Sequence, residues 1–123
     1  MSLNALRDRK KAQKENLMYQ EISKIFLLIT LDEERLKDLS VSKVTLSRDK
    51  SHATVYMYTP GGLADFEKKR PTLILYKASM RKAISQKIPG RYTPELTFVF
   101  DELFEKQQKI QNILEKVKSE EQS

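Results

Sequence analysis

The chain has 123 residues, a formal net charge of +6 at pH 7, and 33% charged against 39% apolar residues; this suits one soluble domain with a single core. It has no cysteine, which excludes disulfides, thiolate metal sites and cysteine nucleophiles, and one histidine, His52, gives a metal site no companions. The longest apolar run, Ile25 to Ile29, is far short of a membrane span, and no signal-peptide core opens the chain, so a cytoplasmic protein with no membrane partner is expected.

From about Asn4 to Leu28 the pattern predicts a long amphipathic helix, with Met18, Ile22, Ile25 and Ile29 on one stripe. Its first half is basic: Arg7, Arg9, Lys10, Lys11 and Lys14 stand against Asp8 and Glu15. Asp32 to Leu36 reads as a short turn, with Asp32 as its cap. Two strands follow, Val41–Ser47 and Ala53–Tyr58, joined by the polar connection Arg48-Asp49-Lys50-Ser51. In the second strand Ala53, Val55 and Met57 share one face, and Thr54, Tyr56 and Tyr58 share the other.

Thr59-Pro60-Gly61-Gly62 stops that strand. Leu63–Lys69 predicts a short helix, and Pro71 suits the first turn of the next, where its missing N–H is not needed. Pro89-Gly90 ends that helix. Leu96–Phe100 predicts a third strand, with Leu96, Phe98 and Phe100 on one face. Asp101 can cap a last helix whose stripe is Leu103, Ile110, Ile113 or Leu114, and Val117. Residues 1–118 are expected to form one domain, with 119–123 a frayed polar tail. The expected fold is an α+β two-layer sandwich, a three-stranded sheet with helices packed on one face.

Between Glu67 and Glu95 the chain has no acidic residue, yet it carries Lys68, Lys69, Arg70, Lys77, Arg81, Lys82, Lys87 and Arg91. The remainder is slightly acidic, so the positive charge is concentrated in one unit. Such charge is what a phosphate-rich partner selects, because each neutralised phosphate releases a counterion; the plain alternative is a solvated helix face. Were Pro71 to Ile88 one straight helix, Lys77 would lie about 60° from Met80, inside the apolar stripe. A buried lysine is costly, so either Lys77 snorkels or the helix breaks near Tyr76-Lys77-Ala78. Two helices meeting at a bend before a strand is the layout of a KH-type RNA-binding domain, although the glycines lie only at 61, 62 and 90 and no Gly-x-x-Gly loop joins the helices.

Three segments carry a more specific resemblance. Arg91-Tyr92-Thr93-Pro94-Glu95-Leu96-Thr97-Phe98-Val99-Phe100-Asp101-Glu102, the turn Asp32-Glu33-Glu34-Arg35-Leu36, and the hairpin from Val44 to Tyr56 together resemble bacterial ribosome-binding factor A, in order and spacing, from about Leu6 to Leu114. The resemblance implies a type II KH-like domain. Its Ala-x-Gly bend motif falls on Tyr76-Lys77-Ala78, which departs from it at both fixed positions. It also implies a role in late maturation of the small (30S) ribosomal subunit: binding the immature particle through 16S rRNA, aiding processing near the rRNA 5′ end, and mattering most in the cold.

Lys77, Arg81 and Lys82 are the first expected RNA contacts, then Lys68, Lys69 and Arg70, then Lys87 and Arg91. Arg81 and Arg91 are the expected oriented contacts, since guanidinium can grip phosphate bidentately or stack on a base. Arg48, Lys50 and His52 at the hairpin are a second expected contact, and Arg7, Arg9, Lys10 and Lys11 a basic arm. Tyr56, Tyr58 and Tyr92 can stack on unpaired bases or pack under a helix. Carboxylates abound, but no pair sits in an apolar context and no glycine-rich phosphate cradle is present, so no enzyme, cofactor, metal or small-molecule substrate is expected. The alternatives are a generic KH-like RNA binder and a protein–protein adaptor that docks through the last helix. A monomer is expected.

Overall fold

The computed structural model describes residues 2–122, without the side chain of Gln122; Met1 and Ser123, the outer ends of the two expected segments, lie outside the described residues. Helix α1 runs Leu3–Asp32 and starts where the Ser2 hydroxyl accepts the Ala5 N–H at 3.2 Å. Only its second half packs: Met18, Ile22, Phe26 and Ile29 are buried, and Ile25 is half-buried beside them. Phe26 thus joins the stripe read from the spacing. Asp32 does not cap the next turn. It is the last residue of α1, and the single 3-10 turn Glu34–Leu36 is entered from Glu33 without a side-chain cap.

Strands β1 (Ser40–Leu46) and β2 (His52–Tyr58) pair antiparallel, while β2 and β3 (Glu95–Phe100) pair parallel, giving the order β1-β2-β3. Val44, Leu46, Ala53, Val55, Met57, Leu96, Phe98 and Phe100 point into one core with the α1 stripe. Burying one such side chain contributes about 1.5–3 kcal/mol. A parallel pair needs a crossover, supplied by α2 (Gly62–Ile74) and α3 (Lys77–Lys87), which bury Phe66, Leu73, Met80 and Ile84 on the same face. Gly62 opens α2 at φ +80°, a left-handed backbone that favours glycine.

The two-helix crossover is present, but Pro71 is not in the first turn of the second helix. It lies inside α2, which continues for a turn beyond it to Ile74. The break falls at Leu75-Tyr76, where Leu75 N–H donates to Thr72 O and Tyr76 N–H to Leu73 O, tightening the helix end. Tyr76 turns the chain at φ −95°, ψ 0°, and the only described non-glycine residue with positive φ is Lys50, so this bend needs no glycine. Lys77 is half-buried as the first residue of α3; it stays within about 60° of Met80 around the α3 axis, so its place in the first turn, and not a change of phase, is what leaves it partly in solvent.

Helix α4 (Glu102–Gln122) departs from the expectation that all helices pack on one face of the sheet. Asp101 is buried and caps it: its carboxylate accepts the Phe104 N–H at 3.0 Å and the Ser42 hydroxyl at 2.6 Å. Ser42 reaches Asp101 because β1 slips register between Val41 and Lys43. Phe104 packs edge-on against Tyr58 at 4.8 Å between centroids. From Lys109 to Glu121 every side chain is exposed along α4. At 100° per residue, Leu103, Leu114 and Val117 lie within about 40° of Ile110, whereas Phe104 lies about 120° away. The apolar stripe therefore looks away from the domain, with Leu103, Ile110, Ile113, Leu114 and Val117 all exposed.

Candidate nucleic-acid interface

The basic residues separate onto two ends of the sheet. The first end holds the α2–α3 bend, the 3-10 turn and the start of β1. Here cations are matched by carboxylates. Lys69 bonds Asp65 at 2.9 Å and approaches Asp38 at 3.6 Å, and its side chain is only 16% exposed. Asp65 also accepts the Thr59 hydroxyl at 2.7 Å. That bond, then Lys69, holds its carboxyl below the usual carboxylate range. Arg35 bonds Glu33 at 2.8 Å, and this bond lowers the Glu33 pKa. Lys68, Lys69 and Arg35 line one concavity with Glu34, Asp38 and Asp65, a balanced set. Arg70 is exposed nearby in sequence, and Lys77 is half-buried at the bend.

The opposite end holds the β1–β2 hairpin, where Glu95 N–H donates to Ser51 O and so sets the start of β3 beside it. The first turns of α1 overhang this end. Arg7, Lys11 and Lys14 follow an i, i+4, i+7 spacing, so they share one face of α1. Arg7 and Lys11 line a concavity of about 690 Å³ with Arg48 and Lys50 from the hairpin; Asn4, Asp8 and Asp49 complete it. Asp49 is turned into the hairpin, accepting the Ser51 hydroxyl at 2.7 Å, the Ser47 hydroxyl at 2.8 Å and the Ser51 N–H at 3.1 Å. These bonds, the Ser51 hydroxyl first, lower its pKa to about 2. Glu15 is likewise engaged, accepting the Leu46 N–H at 2.7 Å. Further along α1, Lys14 joins Gly90, Arg91 and Tyr92 of the α3–β3 loop around a smaller concavity of about 180 Å³.

The predicted contacts thus divide. Arg48, Lys50, Arg7, Lys11 and Arg91 gather at the hairpin end, and Lys87 is exposed in the last turn of α3. Lys82 is exposed on α3. Arg9 and Lys10 are exposed on α1, with Arg9 turned about 200° from Arg7. Arg81 is engaged by the protein: its guanidinium donates to Thr93 O at 3.0 Å and Pro94 O at 3.1 Å, and meets Glu95 at 3.2 Å. His52 Nε2 lies 2.6 Å from the Thr97 hydroxyl across the sheet. Tyr58 packs beneath Phe104, Lys43 Nζ sits 4.5 Å from the Tyr56 ring centre, and Tyr92 is 71% exposed. Charge counting along the chain missed Lys14 as a partner of the α3–β3 loop. The i, i+4, i+7 spacing was the available signal, but not where that face points.

A three-stranded sheet with a bent helix pair in the β2–β3 crossover and a long first helix on the same face is a KH-like domain of the type II order. The ribosome-binding factor A family matches residues 10–114, and the chain belongs to that family. It is 36% identical to ribosome-binding factor A of Halothermothrix orenii over 109 residues, covering 87% of each chain. It is 30% identical to that of Syntrophomonas wolfei, covering 88% of this chain and 93% of the relative. The crystal structure of ribosome-binding factor A from Thermus thermophilus superposes with a TM-score of 0.61 at 25% identity, covering 72% of this chain and 93% of that one.

Proposed function

We propose that the chain is a non-enzymatic ribosome assembly factor that binds the immature 30S subunit through 16S rRNA and assists late maturation and 5′-end processing, acting as a cytoplasmic monomer. Family membership supports a ribosomal partner. The observation that carries the RNA reading is the hairpin end, where cations from α1, the β1–β2 hairpin and the α3–β3 loop gather while the nearby carboxylates Asp49 and Glu15 bond inward. Such a surface suits RNA phosphates, whose neutralisation releases counterions and makes binding salt-dependent. To shift RNA folding the protein must hold immature RNA more tightly than mature RNA. On this reading the primary contacts are Arg7, Lys11, Arg48, Lys50, Lys87 and Arg91. Lys68, Arg70, Lys77 and Lys82 serve as an outer field, and Lys69 and Arg81 act through the fold.

The test is co-sedimentation with small subunits, large subunits and joined ribosomes across a salt series. Selective, salt-sensitive binding to immature small subunits is expected. Equal binding to every particle would leave a generic KH-like RNA binder. The outward stripe of α4 favours a second reading, an adaptor that associates through this helix. A mass that rises with concentration and returns to one chain in Ile110→Asp would support it, while a constant mass would remove self-association.

A further inference from the structure

The α3–β3 loop carries a small built recess that the charge distribution alone does not explain. Its floor is Ile84 and Ile88, and Lys14, Ser85 and Arg91 surround it. The Lys14 ammonium of α1 lies against the loop at Gly90, 3.0 Å from where a Cβ on that residue would stand. The loop is held from beneath. Arg81 takes the Thr93 and Pro94 carbonyls, and its contact with Glu95 draws that carboxylate to α3. At the rim, Tyr92 is 71% exposed with the Arg91 guanidinium 5.4 Å from its ring centre. A large aromatic left in water on a pinned loop, beside two cations, is a platform in search of a planar partner.

Size narrows the ligand. At about 180 Å³ the recess falls below the roughly 300 Å³ where small-molecule pockets begin. It admits a compact anion and leaves anything larger outside, against Tyr92. We infer that the recess is a single-nucleotide subsite for unpaired RNA: Lys14 and Arg91 hold one backbone phosphate, and the adjoining base stacks on Tyr92. An unpaired strand is required, because a base within a duplex cannot leave its neighbours to lie on a side chain without unstacking. The loop is already ordered by Arg81, so little further ordering is needed on binding. This inference rests on the RNA-binding reading above and adds a preference for single strands to it.

The test uses the full chain and a short single-stranded oligoribonucleotide carrying one 2-aminopurine, with its duplex form as control. Wild type should bind the single strand more tightly than the duplex and change the 2-aminopurine fluorescence through stacking. Tyr92→Phe should behave as wild type. Tyr92→Ala should lose about tenfold in single-strand affinity, within the range for removing one stacking platform, and should leave duplex binding unchanged. Lys14→Gln should shallow the salt dependence of single-strand binding by about one phosphate contact. Unaltered thermal melting of Tyr92→Ala keeps a loss of binding from being a loss of fold. Single-strand affinity within twofold of wild type in Tyr92→Ala, or equal affinity of wild type for both forms, overturns the subsite. In that event, continued selective co-sedimentation with small subunits leaves the assembly-factor reading standing, whereas loss of both removes it.

Discussion

Both ends of the sheet carry cations but use them differently. At the bend end each engaged cation faces a carboxylate: Lys69 has Asp65 and Asp38, and Arg35 has Glu33. The Lys69–Asp38 contact ties α2 to the segment before β1, the other two pairs are local, and together they present little net field. At the hairpin end Asp49 and Glu15 bond to backbone or hydroxyl groups and Glu95 is taken by Arg81, so that Asp8 is the carboxylate left beside Arg7, Lys11, Arg48 and Lys50 in the concavity. A basic window in a sequence therefore says how much charge there is, and the location of the acids decides where it can be used.

The contrast yields a graded series of predictions. The largest effect should come from reversing Lys11 and Arg91 to Glu together, which is expected to weaken small-subunit binding about a hundredfold or more at moderate salt. The matched reversal of Lys68 and Arg70 should change it about threefold or less, read by the same sedimentation assay. Equal losses would erase the distinction between the ends.

Arg81→Ala should lower stability by about 1–2 kcal/mol, since it strips charge-assisted hydrogen bonds from the Thr93 and Pro94 carbonyls, and chemical denaturation measures it. It should also reduce RNA binding, although Arg81 is itself engaged within the fold. Asp101→Ala should cost about 1 kcal/mol by removing the α4 cap, with protease sensitivity increasing in α4 and RNA binding retained.

The smallest effect concerns pH. Hydrogen bonds from Ser51 and Ser47 lower the folded pKa of Asp49 to about 2, against 3.8 as its ordinary value. A depressed carboxylate supports the fold above its unfolded pKa and loses that support as pH falls towards the folded one. The hairpin should therefore loosen between about pH 4 and pH 2, seen as faster amide exchange at Ser51 and His52, and Asp49→Asn should abolish this pH dependence.

Much of the fold is legible in the amino-acid sequence. The alternation of Ala53, Val55 and Met57 and of Leu96, Phe98 and Phe100 marks the core face of two strands, and Lys77 points to a break that the fold places just before it, at Leu75-Tyr76, although the break leaves Lys77 half-buried on the Met80 side of α3. Local chemistry also gives the Asp101 cap. Pro71 was misread because tertiary packing holds α2 together through a residue that local preference would put at a helix start. The exposed stripe of α4 was not readable either, since its spacing is the same whether the helix packs on its own domain or points outward. The site was the least legible part. Arg81 and Arg91 look alike in sequence, and only the fold reveals that one grips the Thr93 and Pro94 carbonyls while the other stands at the rim of a recess.

The parallel pairing of β2 with β3 also governs when the hairpin end comes into being. Closing that pair brings Glu95 against Ser51 across the whole α2–α3 crossover, a contact between distant parts of the chain. Contacts of that kind require the largest loop closure and tend to limit the folding rate. The hairpin alone can form early, but without β3 beside it the α3–β3 loop has no fixed place next to α1. A half-folded copy would carry every one of these lysines and arginines and still lack the part of the surface where Lys14 of α1 meets the α3–β3 loop. On the proposed reading, the RNA-binding surface is complete only in a chain that has finished folding.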